Sequence, residues 1–145
     1  MNDRIPVSIQ KCGSYHPDEV RDALNSALDH LGGMSAFVAP SDRVLLKPNL
    51  LLGKPPEAAV TTHPEIIRAV AREVMEAGGE VFLGDSPGVG SLVGVLKKSG
   101  IMPVVEELGI RTVPFHTPVP VAVPGGGVYK SFLLAEEILG FDLII

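Results

Sequence analysis

The segment between residues 80 and 91 constrains the fold more than any other part of the chain. An apolar run from Val81 to Leu83 is followed at once by the sequence GDSPGVG at residues 84–90, and a stretch of helical character starts near Ser91. A strand that ends in a glycine-rich, acidic turn before a helix is typical of α/β proteins, which bind ligands at the carboxyl ends of their strands. We therefore expect a ligand site at this edge of a sheet.

Strand-like and helix-like patterns alternate along the rest of the chain. Strands are predicted at 5–10, 43–47, 80–84, 110–115 and 141–145, and helices at 16–31, 64–77, 91–99, 104–108 and 131–139. The alternation predicts a mostly parallel, doubly wound, Rossmann-like sheet with helices on both faces. Valine alternates with proline or alanine in the first part of 118–130, which predicts a β-ribbon excursion because proline cannot donate to a sheet ladder.

Composition narrows the class of protein. The 145 residues suggest a single α/β domain, and an aromatic content of only 5% leaves the core to aliphatic side chains. The net charge of -5, without a basic stripe, argues against nucleic-acid binding. The sequence has neither a leader-like segment nor a run of ~18 apolar residues, so we expect no membrane partner and a cytoplasmic location. One cysteine, Cys12, excludes an internal disulfide and a four-cysteine cluster within the chain.

Two further polar segments follow or precede predicted elements. Lys47 and Asn49 come after the strand at 43–47, where a lysine can clamp a phosphate or carboxylate or act as a nucleophile. A turn with a solvated lysine explains the same residues equally well. Thr62 and Glu65 fit a capping box, and His63 beside them can act as a metal ligand or an acid/base group. A surface histidine at a helix start is the alternative.

The glycine-rich loop matches one catalytic pattern in letters only. Its GDSPG sequence has the form of a nucleophile elbow, but Pro87 after Ser86 lacks the N–H that such an elbow uses to stabilise an oxyanion. In the positive interpretation, Asp85 binds a metal or accepts a proton, and the amides around Ser86, Gly88 and Gly90 hold an anion. The alternative is that these residues only form the turn.

Three ordered motifs resemble the domain of unknown function 362 family. They are VLLKPNL at 44–50, AVTTHP at 59–64 and GDSPG at 84–88, and FDLII at 141–145 resembles the strand before that family's Asn-x-Pro-Lys-x-Lys segment. An apolar run without a following turn is typical of a central strand. The resemblance marks as motif positions Lys47, Asn49, Thr62, His63, Asp85, Ser86 and Gly88.

The resemblance also implies a larger protein. Family members are typically about twice as long or more, and many carry a ferredoxin-like segment with cysteine motifs for four-iron four-sulfur clusters. We therefore expect residues 1–145 to be the N-terminal part of a longer family domain. No cofactor is expected within this chain, clusters are possible in a longer parent protein, and a divalent metal is possible at the strand tips.

Two functions fit these observations. In the first, the chain is the ligand-binding part of a redox-linked protein that holds an anionic substrate or a metal at the strand tips. The predicted catalytic residues are then Lys47, His63 and Asp85, and the predicted cofactor-binding residues are Asn49, Thr62, Ser86, Gly88 and Gly90. In the second, the chain is a non-catalytic scaffold that docks a cluster-bearing domain or a protein partner. Whether the chain is an enzyme stays open at this point.

Overall fold

A four-stranded, all-parallel sheet forms the centre of the computed structural model, which describes residues 5–125 and 127–145. The strands in chain order are β1 Arg43–Leu46, β2 Glu80–Asp85, β3 Arg111–Pro114, β4 Pro118–Ala122, β5 Ser131–Ala135 and β6 Leu143–Ile144. The sheet has the order β3-β2-β1-β6, while β4 and β5 form a separate antiparallel ribbon. The predicted α/β class, parallel sheet and ribbon are confirmed.

The strand order reverses beside β1. The chain runs outward from β1 to β2 and β3, and then returns to place β6 on the other side of β1. Pairing continues past β6, because the Ile145 amide donates to the Leu45 carbonyl at 2.9 Å and the Lys47 amide donates to the Ile145 carbonyl at 2.7 Å. The carboxyl ends of β1 and β6 thus flank the topological switch point, where open α/β sheets bind ligands.

One face of the sheet packs on helices. The helices are α1 Pro17–Asp29, α2 Pro64–Glu76, α3 Leu92–Lys98 and α4 Met102–Glu107, and α1 lies against α2. The core cluster joins Val44 and Leu46 of β1 and Val81 and Leu83 of β2 to buried side chains of α2, α3 and α4. Because the buried faces of α2, α3 and α4 pack against β1 and β2, this packing fixes the positions of the two strands and of their tips.

The opposite face is covered differently. Phe82 is buried there, with the Phe141 ring edge-on at 5.0 Å and the Arg111 guanidinium 4.4 Å from its centroid. Arg43 reaches from β1 to donate to the carbonyl of Gly140, at the end of a short 3-10 helix, Glu136–Gly140. These contacts hold the returning chain against the start of β1.

The predicted first strand at 5–10 is wrong. These residues join no ladder in the part of the chain that the structure describes, and Ile5, Val7 and Ile9 are each at least 80% exposed. Alternation of apolar and polar residues stabilises a strand only where a neighbouring strand and a covering layer exist. Among the described residues, residues 5–10 have neither a neighbouring strand nor a covering layer.

The predicted helix at 131–139 is also wrong. The segment holds β5 and the 3-10 helix Glu136–Gly140, with Leu134 opposite Val119 and Phe132 opposite Val121. Leucine, alanine and glutamate favour helices, but pairing with a distant strand outweighs that local preference. The strand expected at 141–145 does form, although β6 lies at the edge of the described sheet rather than at its centre.

Candidate ligand-binding site

An ion pair joins the tips of β1 and β2. Lys47, directly after β1, places its Nζ 2.7 Å from Oδ1 of Asp85, the last residue of β2. The other carboxylate oxygen accepts the Leu50 amide at 2.9 Å, so both oxygens of this buried group have partners. Lys47 itself is 48% exposed, and an ammonium carries three N–H donors. It can therefore hold Asp85 and a ligand at the same time.

An open cleft of about 420 Å³ lies between these tips and the ribbon, and we call it the ribbon cleft. Its polar lining residues are Lys47, Ser86, His116 and Thr117. Its apolar walls come from the ends of β3 and β6, from β5 and from the 3-10 helix, and the main side chains are Phe115, Leu133, Leu134, Ile138 and Ile144. The size suits a small ligand, since such sites typically span about 300–1,000 Å³.

A second cleft of about 420 Å³, which we call the loop cleft, adjoins the first. It is lined by Asp85, Gly90 and Ser91, among others, and it shares Ser86, Phe115 and His116 with the ribbon cleft. The Ser91 hydroxyl is already engaged, because it accepts the Gly94 amide at 3.2 Å as the N-cap of α3. Ser86 thus stands at the boundary between two clefts, next to Asp85.

The glycine-rich loop packs tightly on the loop after β1. A Cβ at Gly88 would lie 3.2 Å from the Leu51 carbonyl oxygen, while one at Gly84, inside β2, would collide with the carbonyl oxygen of Val113 in β3. The Val89 amide donates to that same Leu51 oxygen at 3.2 Å, and so it already has a partner. Gly90 has a φ of 92°, in the left-handed region that favours glycine. The two loops therefore form one joined surface behind Lys47 and Asp85.

The predicted capping box at Thr62 is wrong. The Thr62 hydroxyl accepts the Asn49 amide at 3.2 Å, and the Thr62 amide donates to the Asn49 carbonyl at 3.4 Å. His63 is the N-cap of α2 instead, with its Nδ1 accepting the Glu65 amide at 3.2 Å. Its ring also stacks on Tyr15 at 3.8 Å. Thr62 and Asn49 thus tie the β1 tip to α2, while His63 lines neither cleft.

Two residues at this site were not predicted as functional. His116 lines both clefts directly after β3, and the carboxylate of Glu137 accepts the amides of His116 at 3.0 Å and Thr117 at 3.2 Å. Hydrogen bonds from backbone amides, its own first and then those of His116 and Thr117, lower the pKa of Glu137. His116 can be singled out from the sequence because it comes directly after a predicted strand. Glu137 cannot, because it lies in a segment that the sequence predicts to be a helix.

Metal and cluster ligands do not assemble among the residues that the structure describes. Within residues 5–125 and 127–145, no three histidine, cysteine, aspartate or glutamate side chains come together in a group that could hold a metal. Cys12 is exposed and its thiol donates to the Ser14 carbonyl. A four-iron four-sulfur cluster takes four cysteine ligands, so the residues of this chain do not fit one.

The fold and the site together define an α/β protein with an open cleft beside the switch point of a parallel sheet. The chain belongs to the domain of unknown function 362 family (DUF362), whose family model matches residues 44–145, as the three motifs predicted. Over 146 residues it is 47% identical to the thylakoid-associated protein sll1697 of Synechocystis sp. (strain ATCC 27184 / PCC 6803 / Kazusa).

That alignment covers 96% of this chain and 43% of the relative, so the chain spans less than half of the relative's length. No solved structure matches the chain. Among the residues that the structure describes, no helix has both the length and the apolar character needed to cross a membrane.

Proposed function

We propose that this chain binds a small anionic ligand in the ribbon cleft, with the Lys47 ammonium and the Ser86 hydroxyl holding its carboxylate or phosphate group. The observation that carries the proposal is that Lys47 is both held in position and exposed. It is fixed by a buried carboxylate at 2.7 Å, yet it is half-exposed on the cleft. A cation held in place before binding loses little side-chain entropy when the ligand arrives.

Asp85 acts in this proposal as a positioning residue. Both of its oxygens are engaged, one by Lys47 and one by the Leu50 amide, and protonation would remove the charge that pairs with Lys47. His63 lines neither cleft, and its Nδ1 accepts a helix amide. We therefore assign ligand contact to Lys47 and Ser86, and we propose no proton transfer by Asp85 or His63.

Thermal unfolding of the purified chain with acetate or inorganic phosphate tests this function. A ligand at ten times its Kd stabilises the native state by about 1.4 kcal/mol, which raises the Tm of a chain of this size by about 3–6 °C. Lys47→Gln should weaken binding by about 10- to 100-fold, because it removes a charged hydrogen-bond donor. Lys97→Gln, an exposed lysine on α3, is the matched control and should keep the full response. Equal responses in all three proteins would contradict the proposal.

We propose a connection to redox chemistry only for a larger protein that contains this chain. The chain spans 43% of its relative, and its own cysteine content does not fit a cluster. We propose that any iron–sulfur clusters lie in segments outside these residues and that this chain supplies the ligand site. Iron and acid-labile sulfide assays on the native, anaerobically purified protein test this link. If neither iron nor acid-labile sulfide is found, the proposed link is wrong.

A scaffold is the second candidate function, and the ribbon favours it. Phe132 is 50% and Leu133 is 72% exposed on β5, which leaves apolar area for a cluster-bearing domain or a protein partner to cover. The same thermal experiment separates the two functions. No Tm shift with any anion or divalent cation would favour the scaffold, because a ligand that binds the native state must stabilise it.

The location of the protein is also a proposal. The relative is described as thylakoid-associated, and those words concern that protein. We keep a cytoplasmic location for this chain, with peripheral attachment to a membrane as the alternative. Fractionation of cells into membrane and supernatant, followed by a high-salt wash, distinguishes the two.

A further inference from the structure

Most of the residues that line the ribbon cleft are apolar. Apart from Lys47, Ser86, His116 and Thr117, its walls are made of aliphatic and aromatic side chains. Resting on the proposed function, we infer that the ligand is an amphipathic monocarboxylate. Its carboxylate binds Lys47, and its acyl or aryl body lies against Leu133, Leu134 and Ile144.

The exposure of the walls supports an apolar ligand body. In the free protein Leu133 is 72%, Leu134 is 37% and Ile144 is 45% exposed. A hydrocarbon body seated in the cleft would remove part of this surface from water, which is favourable in proportion to the apolar area buried. A bare phosphate or acetate would gain nothing from these side chains.

The charges around the cleft favour one anionic group over two. Among its lining residues in the described chain, Lys47 is the one with an ammonium or guanidinium group. The Glu137 carboxylate accepts the amides of His116 and Thr117, both of which line the cleft. A second carboxylate or a polyphosphate chain would approach this negative charge without a second cation to balance it.

A series of linear carboxylates tests the inference on the full 145-residue chain. Calorimetric titration with acetate, butanoate, hexanoate and octanoate should show the Kd falling about twofold per methylene, about half of the effect of full burial because the cleft is open. Hexylammonium, with the same tail and the opposite charge, should not bind. Succinate should bind no more tightly than acetate.

Shortening the apolar side chains that line the cleft tests where the hydrocarbon chain of the ligand lies. Leu134→Ala, alone and with Leu133→Ala, should flatten the dependence of the Kd on chain length. Leu139→Ala is the matched control, because Leu139 is 54% exposed in the neighbouring 3-10 helix and does not line the cleft. Circular dichroism and Tm confirm that each variant is folded.

The outcomes separate this inference from the proposed function. Dependence on both chain length and Lys47 supports the inference. Acetate and phosphate binding that requires Lys47, without an effect of chain length, overturns the inference and leaves the proposed function standing. Binding that rises with chain length but ignores Lys47→Gln overturns both, and so does the absence of binding by every anion in the series.

Discussion

The tips of β1 and β2 and the β4–β5 ribbon form two sides of the same cleft, and they are built in opposite ways. On the sheet side, Asp85 is buried, its partners are fixed, and β2 and β3 pack so closely that a methyl group has no room at Gly84. On the ribbon side, Phe132 and Leu133 are at least half exposed. The sheet side can hold a charge in one position, whereas the ribbon side offers apolar surface for a ligand or partner to cover.

Glycine substitutions give the largest contrast between the two sides. Gly84→Ala places a Cβ against the Val113 carbonyl oxygen and 2.9 Å from the Phe115 ring, so strands β2 and β3 must separate. We expect a loss of about 3 kcal/mol in the free energy of unfolding, the upper part of the range for overpacking. Denaturant titration measures it.

The matched variant is Gly127→Ala in the ribbon turn, where a Cβ would meet nothing within 4 Å. Its unfolding free energy should change by no more than about 0.5 kcal/mol, as for most surface substitutions. If both alanines were tolerated equally, the close packing assigned to the sheet side would be incorrect.

The Lys47–Asp85 ion pair gives the next largest effect. Asp85→Asn keeps an acceptor for the Leu50 amide but removes the negative charge beside the Lys47 ammonium, and we expect a loss of about 2 kcal/mol in stability. A double-mutant cycle with Lys47→Gln isolates the pair itself. Its coupling energy should be only about 1 kcal/mol, because Lys47 is half-exposed and solvent screens it.

The coupling between Lys47 and Asp85 should also depend on salt. The coupling energy should decrease modestly at 1 M salt, since the buried carboxylate is screened less than an exposed one. A coupling energy near zero at low salt would mean that Asp85 serves only the Leu50 amide. Asp85 could then not be the residue that positions Lys47.

The two sides also differ in how far the sequence predicts them. The central strands β1 and β2 were predicted because parallel strands buried on both faces read as continuous apolar runs, here around Leu45 and Phe82. The meeting of Lys47 and Asp85 follows from the same reasoning, because both come at the carboxyl ends of neighbouring parallel strands.

Predictions failed where a residue's environment comes from distant parts of the chain. The leucines of β5 look helical until β4 pairs with them, and Glu137 gains its role only because the turn after β3 presents the amides of His116 and Thr117. His63 took the capping role expected of Thr62, since the Thr62 hydroxyl was already used by the Asn49 amide. The local spacing of residues contains no information about which distant donor uses such an acceptor.

The pH dependence of Glu137 is the smallest effect and concerns the ribbon side. Backbone amides lower its pKa in the folded protein below the ordinary value of 4.5. A carboxyl whose folded pKa is depressed contributes stability that is present above its unfolded pKa and is lost as pH falls through the folded pKa. Unfolding free energies measured between pH 6 and pH 3 should therefore fall less steeply in Glu137→Gln than in the parent chain.

The neighbouring Glu136→Gln serves as the control for that measurement, because Glu136 is exposed at the start of the same 3-10 helix. Its unfolding free energy should fall between pH 6 and pH 3 as steeply as that of the parent chain. Because Glu137 is solvent-accessible, the difference should also shrink at high salt, and by a larger fraction than the coupling at Asp85. If Glu137→Gln left the decrease of stability at acid pH unchanged, the Glu137 carboxylate would not hold the turn that carries His116. The ribbon side of the cleft would then depend on strand pairing alone.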